Sequence, residues 1–599
     1  MRPPLRLWPG VAAVAVLLVS LFAIPFAPPS TTTIAFIVLY VSALLIVVWW
    51  LAFSRARWYE RIGALAAMAL AVAVMRPLLD QSIIGGAMGN LTYVLAFPLL
   101  SLALVAWAVG TRRHSVPVRL ATLPTAMLLA SGLLTLLRTD GMGGETMLQL
   151  RWRWMPTAEE RLLAEITDVP VAPIAPSASP AAPPAAEVPA EPAASRSEDE
   201  PAPSTPASPV PIRAAEWPGF RGPDRNSVVR GVRINTDWVA SPPVELWRRP
   251  IGPGWSSFAV DGDRIYTQEQ RGDDEIVACY SLATGKPVWM HKDATRFWES
   301  NAGPGPRGTP TLVNGRVYAF GATGILNALD ARTGAVVWSR NAASETKVET
   351  PTWGFSSSPL VTGDLVIVAI AGTLAGYDLA SGKPRWVGPK HAFSYSSPHL
   401  VTIGDVAQVL LLSPPGVVSV TPSDGTLLWE HAFEGGGIVQ PTVTPDGDVL
   451  ISGLAGTGGS GVRRLGVARG SDGWTAQERW TSNGLKPYFN DYVVHNGNAY
   501  GFDGSILASI DLADGKRRWK GGRYGAGQLI LLPEQDLLLV VSEEGGLALV
   551  GATPDKFTEI GRAPALDGKT WNHPVLVGDV LLVRNGEEMA AFRLAVAAP

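Results

Sequence analysis

The sequence predicts an N-terminal α-helical membrane domain of five spans, residues 1–140, followed by an all-β propeller of eight blades, residues 214–599. Three observations predict it. Five apolar stretches fill the first 137 residues, each close to the roughly 20 residues that cross a bilayer. A strand–turn–strand unit ending in Trp then recurs at steps of about 40–50 residues, the length of a four-stranded blade. Between the two lies a Pro- and Ala-rich tract that cannot bury a core.

The apolar stretches are residues 7–26, 33–53, 62–79, 91–109 and 118–137. Arg2 and Arg6 before the first resemble the start of a signal peptide, but four more spans behind it favour an uncleaved membrane domain. Arg55, Arg57 and Arg61 lie between the second and third stretches, and Arg112, Arg113 and Arg119 around the fourth-to-fifth connection. The opposite connections carry no Lys or Arg. The positive-inside rule therefore makes the N-terminus cytoplasmic. Five spans put the rest of the chain beyond the membrane, in the periplasm if this is a bacterial inner-membrane protein. Arg76 with Asp80, at the outer end of the third stretch, is the one obvious ionisable pair, and the spans read as an anchor.

Residues 141–167 form a juxtamembrane segment. Arg151-Trp152-Arg153-Trp154 suits a membrane–water boundary. Thr157 and Glu160 have capping-box spacing ahead of a short helix. Residues 168–213 read as an extended spacer that holds the propeller several nanometres off the membrane, at roughly 3 Å per residue.

The repeats are YSLATGKPVW, LNALDARTGAVVW, YDLASGKPRW, VTPSDGTLLW and IDLADGKRRW. Gly stands four residues before Trp in each: Gly285/Trp289, Gly334/Trp338, Gly382/Trp386, Gly425/Trp429 and Gly515/Trp519. A tight turn needs a residue at positive φ, where Gly is cheapest. The Trp wedges between neighbouring sheets and buries a large apolar area. Weaker copies end at Trp247 and Trp480. Residues 529–560 read as a blade without its Trp. Residues 574–594 supply the inner strands of a last blade, completed by the strand that ends at Trp247. The count is eight, or seven if the Trp480 unit is an inserted loop.

This repeat, with the segment WPGFRGPDRNS at 217–227, resembles the quinoprotein-like propellers, the PQQ-like repeat family, over residues 216–597. The resemblance implies a propeller fold. It implies one of two functions, because the family holds dehydrogenases that bind pyrroloquinoline quinone as well as propellers that bind no cofactor. The latter include a lipoprotein subunit of the outer-membrane β-barrel assembly machine. The membrane-bound glucose dehydrogenases of the family also place five spans before a periplasmic propeller, but their propellers are longer.

Two functions follow. The favoured one is a membrane-anchored, non-catalytic binding or scaffold propeller with a protein partner and no cofactor. The alternative is a dehydrogenase that oxidises an alcohol or aldose with pyrroloquinoline quinone and Ca²⁺. A sensor or carbohydrate-binding module is a third reading. The net charge of −3 gives no reason to expect nucleic acid.

The candidate site is the central funnel, lined by the loops that lead into each innermost strand. Arg307, Trp353, Lys486, Asn490 and Trp571 are the candidate cofactor-binding residues, joined by Tyr395, Gln440 and His573. Aromatic faces would stack on a planar quinone and cations would meet its carboxylates. In the dehydrogenase reading Asp491 is the base and Asn490 an oxygen ligand to Ca²⁺. The histidines show no zinc-ligand spacing, and no metal-binding residues are assigned. GTGGSG at 456–461 lacks the Lys-Ser/Thr ending of a phosphate loop and reads as a turn. Cys279, the single cysteine, lies in a strand and pairs with nothing.

Overall fold

The computed structural model describes residues 5–23, 29–143, 148–165, 215–434, 437–455 and 458–597. The tract read as a spacer, residues 168–213, lies outside them. The N-terminal helices are α1 (Trp8–Ala23), α2 (Pro29–Val48, continued by a wider turn over Trp49–Phe53), α3 (Trp58–Met75), the short α4 (Gln81–Gly85), α5 (Leu91–Gly110) and α6 (Val116–Gly132). Among the described residues, four helical segments are long and apolar enough to cross a membrane: Ile34–Phe53, Trp58–Leu78, Leu91–Gly110 and Val116–Leu136. The first predicted span is shorter. Helix α1 has 16 residues, about 24 Å at 1.5 Å each, against a hydrocarbon core of about 30 Å.

Helix α1 runs antiparallel beside α2. Trp49 Nε1 donates to the Arg6 carbonyl at 2.8 Å, and the Arg6 N–H donates to the Ser54 carbonyl at 3.1 Å. Gly10 makes this approach possible, since a Cβ there would meet the Trp49 ring at 2.6 Å. The ionic pairing differs from the sequence reading. Asp80 pairs with Arg153 at 3.6 Å rather than with Arg76, and it caps α4 by accepting from the Ser82 N–H. The buried pair within the bundle is Arg119–Glu60 at 3.3 Å, at the end of the bundle that carries the arginine-rich connections. Both partners lie about a turn inside their helices, where spacing alone gives no sign of pairing.

Two short strands, β1 (Leu137–Met142) and β2 (Leu148–Trp152), form a hairpin on top of the bundle. The predicted capping box is present. The Thr157 N–H donates to Glu160 Oε2 at 2.6 Å, and the Glu160 N–H donates to Thr157 Oγ1 at 3.0 Å, starting α7 (Ala158–Glu165).

Helix α7 carries the contact that corrects the spacer reading. Glu159 takes both ends of the Arg296 guanidinium at 2.7 Å and the Gly272 N–H at 2.8 Å. The propeller therefore sits on the helical domain. Tract length sets only the greatest separation, and a bidentate ion pair with an added N–H overrides it. Gly85 and Gly141 bring the two domains close: a Cβ on Gly141 would meet the Asn301 carbonyl at 2.4 Å.

The propeller consists of eight four-stranded antiparallel sheets. Blades 1 to 7 span residues 259–293, 311–341, 360–387, 399–432, 442–482, 493–523 and 528–564. Blade 8 takes three strands from 575–593 and its outermost strand from Val244–Pro250, which closes the ring as predicted. The Trp480 unit is the outer strand of blade 5, so the count is eight and not seven. In the GTGGSG stretch, residues 456 and 457 lie outside the described residues, and 458–461 open a strand of blade 5.

The repeat works across blade boundaries. Trp338 of blade 2 donates to the Leu379 carbonyl of blade 3, and its ring lies against Gly382, where a Cβ would come within 2.5 Å. Trp247, Trp289, Trp386, Trp480 and Trp519 donate in the same way to carbonyls of the next blade. Trp429 differs and donates to Gln408 of its own blade. The turn glycine is thus required twice, for its positive φ of 69° at Gly382 and for the absent Cβ. Gly382→Ala should lower unfolding stability by at least about 1–3 kcal/mol from backbone strain, read as a lower denaturant midpoint of the purified chain.

Candidate functional site

The loops that lead into the innermost strands form a continuous hydrogen-bonded hoop around the axis. The Ser257 N–H of blade 1 donates to Thr309 Oγ1 of blade 2, the Thr309 N–H to Ser358 Oγ of blade 3, and the Ser358 N–H to Ser397 Oγ of blade 4, each at 2.9 Å. Gln440 of blade 5 donates its side-chain amide to the Ser397 and Pro398 carbonyls and its N–H to Asp491 of blade 6. Gln528 of blade 7 donates to the Phe489 carbonyl of blade 6 and the Trp571 carbonyl of blade 8. Ser257 Oγ donates to the His573 carbonyl and closes the circle.

The segment 217–227 plugs this hoop. Arg221, 1% exposed, donates to Asp491 Oδ1 at 3.0 Å, to the Tyr492 carbonyl and to Ser227 Oγ. Arg225 donates to the Ser358 and Pro359 carbonyls. Arg221, Arg225 and Ser227 all have positive φ. Three such non-glycine residues within seven positions mark a plug whose shape the surrounding loops impose. Ser227 Oγ also meets His573 Nε2 at 2.9 Å. Phe220, from the same segment, lines the cavity above.

That cavity holds about 230 Å³ and is lined mainly by apolar atoms. Its wall is an arc of rings in contact: Trp353 with Tyr395 at 4.9 Å, Trp353 with Tyr488 at 6.5 Å, Tyr488 with Phe489 at 5.1 Å, Phe489 with Trp571 at 4.8 Å, and Trp571 with Trp255 at 4.9 Å. Phe393 extends the arc at 6.0 Å from Tyr395 and is 59% exposed.

The carboxylates and the guanidinium that line this cavity, Glu299, Asp491 and Arg307, are engaged within the protein. Arg307 spends its donors on the carbonyls of Trp353, Pro304, Gly305 and Gly303 and on Glu299. Burial still lowers its pKa to about 10. Glu299 also accepts the N–H groups of Asn301 and Ala302. Burial raises the Asp491 pKa, and the Arg221 guanidinium opposes the rise. Among the described residues no group of three or more His, Cys, Asp or Glu is arranged to hold a metal ion. Cys279 is buried in blade 1, where burial pushes its thiol up to about 11.

Of the residues chosen from sequence, Arg307, Trp353, Trp571, Tyr395, His573 and Asp491 line the cavity. Lys486 and Asn490 are not among its lining residues. Lys486 is turned toward Asp503 at 3.8 Å, and Asn490 Oδ1 accepts the Tyr488 N–H at 3.1 Å within its own loop. Gln440 is buried in the hoop. Sequence reasoning missed Arg221, Phe220 and Glu299. Glu299 stands in a loop between blades 1 and 2, and Arg221 lies 270 positions from Asp491, so neither has a local signal.

A family model described as outer membrane protein assembly factor BamB matches residues 244–411 and 387–528. The outer membrane protein assembly factor BamB of Shewanella oneidensis is 23% identical over 373 residues, 57% of this chain and 86% of that protein. Its namesake from Yersinia pestis is 22% identical over 330 residues, 51% and 70% of the two chains. Among solved structures, BamB from Moraxella catarrhalis is 16% identical with a TM-score of 0.43, covering 60% of this chain and 99% of that one. Quinohemoprotein alcohol dehydrogenase from Comamonas testosteroni is 13% identical with a TM-score of 0.45, covering 64% and 81%.

The hoop has a pH signature. Burial lowers the His573 pKa to about 3 and the His399 pKa to about 4, from 6.5. The unfolded chain binds a proton that the folded state refuses. Stability is therefore complete above about pH 6.5 and falls as pH drops toward 4, by up to about 1.4 kcal/mol per pH unit for each histidine. His399→Gln should flatten this slope in urea titrations over that window.

Proposed function

We propose, from the premise that the propeller belongs to the PQQ-like repeat family, that this chain is a membrane-anchored, non-catalytic binding and scaffold module. The observation that carries the proposal is the aromatic arc of the funnel, whose neighbouring carboxylates and Arg307 are engaged within the protein. Such a wall gains energy from apolar and ring contacts with a ligand that brings its own side chains. A polypeptide segment bearing aromatic or branched side chains fits it. The relatives named as outer membrane protein assembly factors support a protein partner.

The dehydrogenase reading asks more of these residues. A quinone's carboxylates need free cations and its calcium needs clustered oxygens. Arg307 has no donor to spare, and Asp491 Oδ1 is already held by Arg221 and the Gln440 N–H. Asn490 Oδ1 is occupied within its loop. The donor set does not fit the cofactor.

The propeller sits on the end of the helical bundle away from Arg55, Arg57, Arg112 and Arg113, since it contacts the bundle through α4, β1 and α7. We read that end as periplasmic and the arginine end as cytoplasmic, in a bacterial inner membrane. Helix α1, antiparallel to α2 along its length, crosses with it.

Two measurements test this. Short peptides differing only in aromatic content should bind the purified full chain according to that content, and Trp353→Ala should weaken binding about tenfold, about 1.4 kcal/mol. Saturable binding of pyrroloquinoline quinone with Ca²⁺, and alcohol or aldose oxidation lost in Asp491→Asn, would overturn the reading. For topology, the only native cysteine is buried. In intact spheroplasts an impermeant maleimide should label Ser381→Cys and spare Arg113→Cys.

A further inference from the structure

The cleft between the membrane domain and the propeller is a second cavity, of about 540 Å³, lined from below by Arg138, Asp140 and Arg151 and from above by Glu299, Asp567 and Lys569 among others. Six carboxylates and four cations line it, and four of those carboxylates are already paired. Asp80 is taken by Arg153, Glu159 by Arg296, Glu299 by Arg307 and Glu587 by Arg161. Arg138 and Arg151 then share a single carboxylate, Asp140, at 3.5 and 3.4 Å. Arg138 Nε is buried without an acceptor.

Lys569 is a cation with no close carboxylate. Its Nζ lies 4.7 Å from the Trp571 ring centroid and 5.2 Å from that of Trp255, and it donates to the Asn301 carbonyl at 3.4 Å. Among the described residues no carboxylate lies within 4.0 Å of it. Burial pulls its pKa down to about 8. A Cβ on Gly141 would come within 2.6 Å of Lys569 Nζ, so the ammonium presses against the strand that carries Arg138. Asp567, the remaining acid, stands on the exposed rim.

Arg138 lies two residues beyond the last apolar helical segment, Val116–Leu136, which puts the cleft at the level of a bilayer surface. We propose that this cleft binds the phosphate of an anionic phospholipid head group, held between Arg138 and Lys569. The lipid enters sideways from the leaflet on the propeller's side, and its phosphate supplies the anionic partner that Lys569 lacks and shares the Arg138 guanidinium with Asp140. The inference rests on the helices lying in a bilayer with the propeller at its surface, and is independent of what the funnel binds.

The test uses the full chain in nanodiscs of phosphatidylcholine, with and without phosphatidylglycerol, and native mass spectrometry to count retained lipid. Phosphatidylglycerol should be retained over phosphatidylcholine. Lys569→Gln and Arg138→Gln should each cut that preference about tenfold, while Lys569→Arg and the surface variant Lys516→Gln keep it. Equal retention of the two lipids, or an unchanged preference in both Gln variants, would overturn the proposal. Inorganic phosphate that displaces the lipid at matched concentration, and binds alone with the same Lys569 dependence, would reassign the site to a free anion. If Lys569→Gln fails to fold, Arg138→Gln decides. Failure of the cysteine-labelling pattern would instead point to the topology.

Discussion

Ring closure is the constraint on which the rest of this structure depends. Eight sheets, each stable only against its neighbours, must pack face to face around one axis with no free end. The chain meets the demand at three radii. Near the axis the hoop from Ser257 through Asp491 to His573 ties the lead-in loops together. Further out, indole N–H groups donate to carbonyls of the next blade. At the seam, Val244–Pro250 pairs with the strand Glu588–Arg593. Loss of any one leaves buried polar groups unpaired, which costs more than the bond itself was worth.

Closure also decides what the funnel can do chemically. The polar groups nearest the axis are consumed in holding blades together or in seating the plug. Asp491 is the clearest example: one oxygen accepts from blade 5 and from Arg221 at once. Its carboxylate was chosen from sequence because it stood in a loop leading to the axis. It does line the cavity, but as the counter-charge of a buried arginine. With the acids and Arg307 engaged, aromatic surface remains as the funnel's main resource for recognition.

How legible this was depends on the range of the interaction. The propeller, its eight blades and the closing strand follow from Gly–Trp spacing, a signal confined to ten residues and repeated. The positions of Trp353, Trp571 and Arg307 follow from their place just before an innermost strand. Within such a loop, which side chain faces the axis is a matter of one residue. Phe489 faces the cavity, while its neighbour Asn490 turns back on its own loop. Long-range partners left no trace. The Arg221–Asp491 pair, the Glu60–Arg119 pair and the Glu159–Arg296 clasp each join residues whose spacing carries no period. The same blindness made the Pro-rich tract read as a standoff, because its composition describes the tether and not the contact at its end.

The clasp changes the meaning of the whole arrangement. A propeller on a free tether would present both faces to any partner. Here Glu159 fixes Arg296 and the Gly272 N–H, and Gly141 leaves just enough room for Asn301 and Lys569. The interdomain cleft and the funnel cavity share Trp255, Glu299 and Ala302 in their walls. The aromatic funnel therefore opens beside the helical domain. Trp255 and Trp571, both in the funnel's aromatic wall, flank Lys569 of the cleft. The attraction between that ammonium and the two rings is electrostatic, so the proposed lipid site and the proposed peptide site would share one cation.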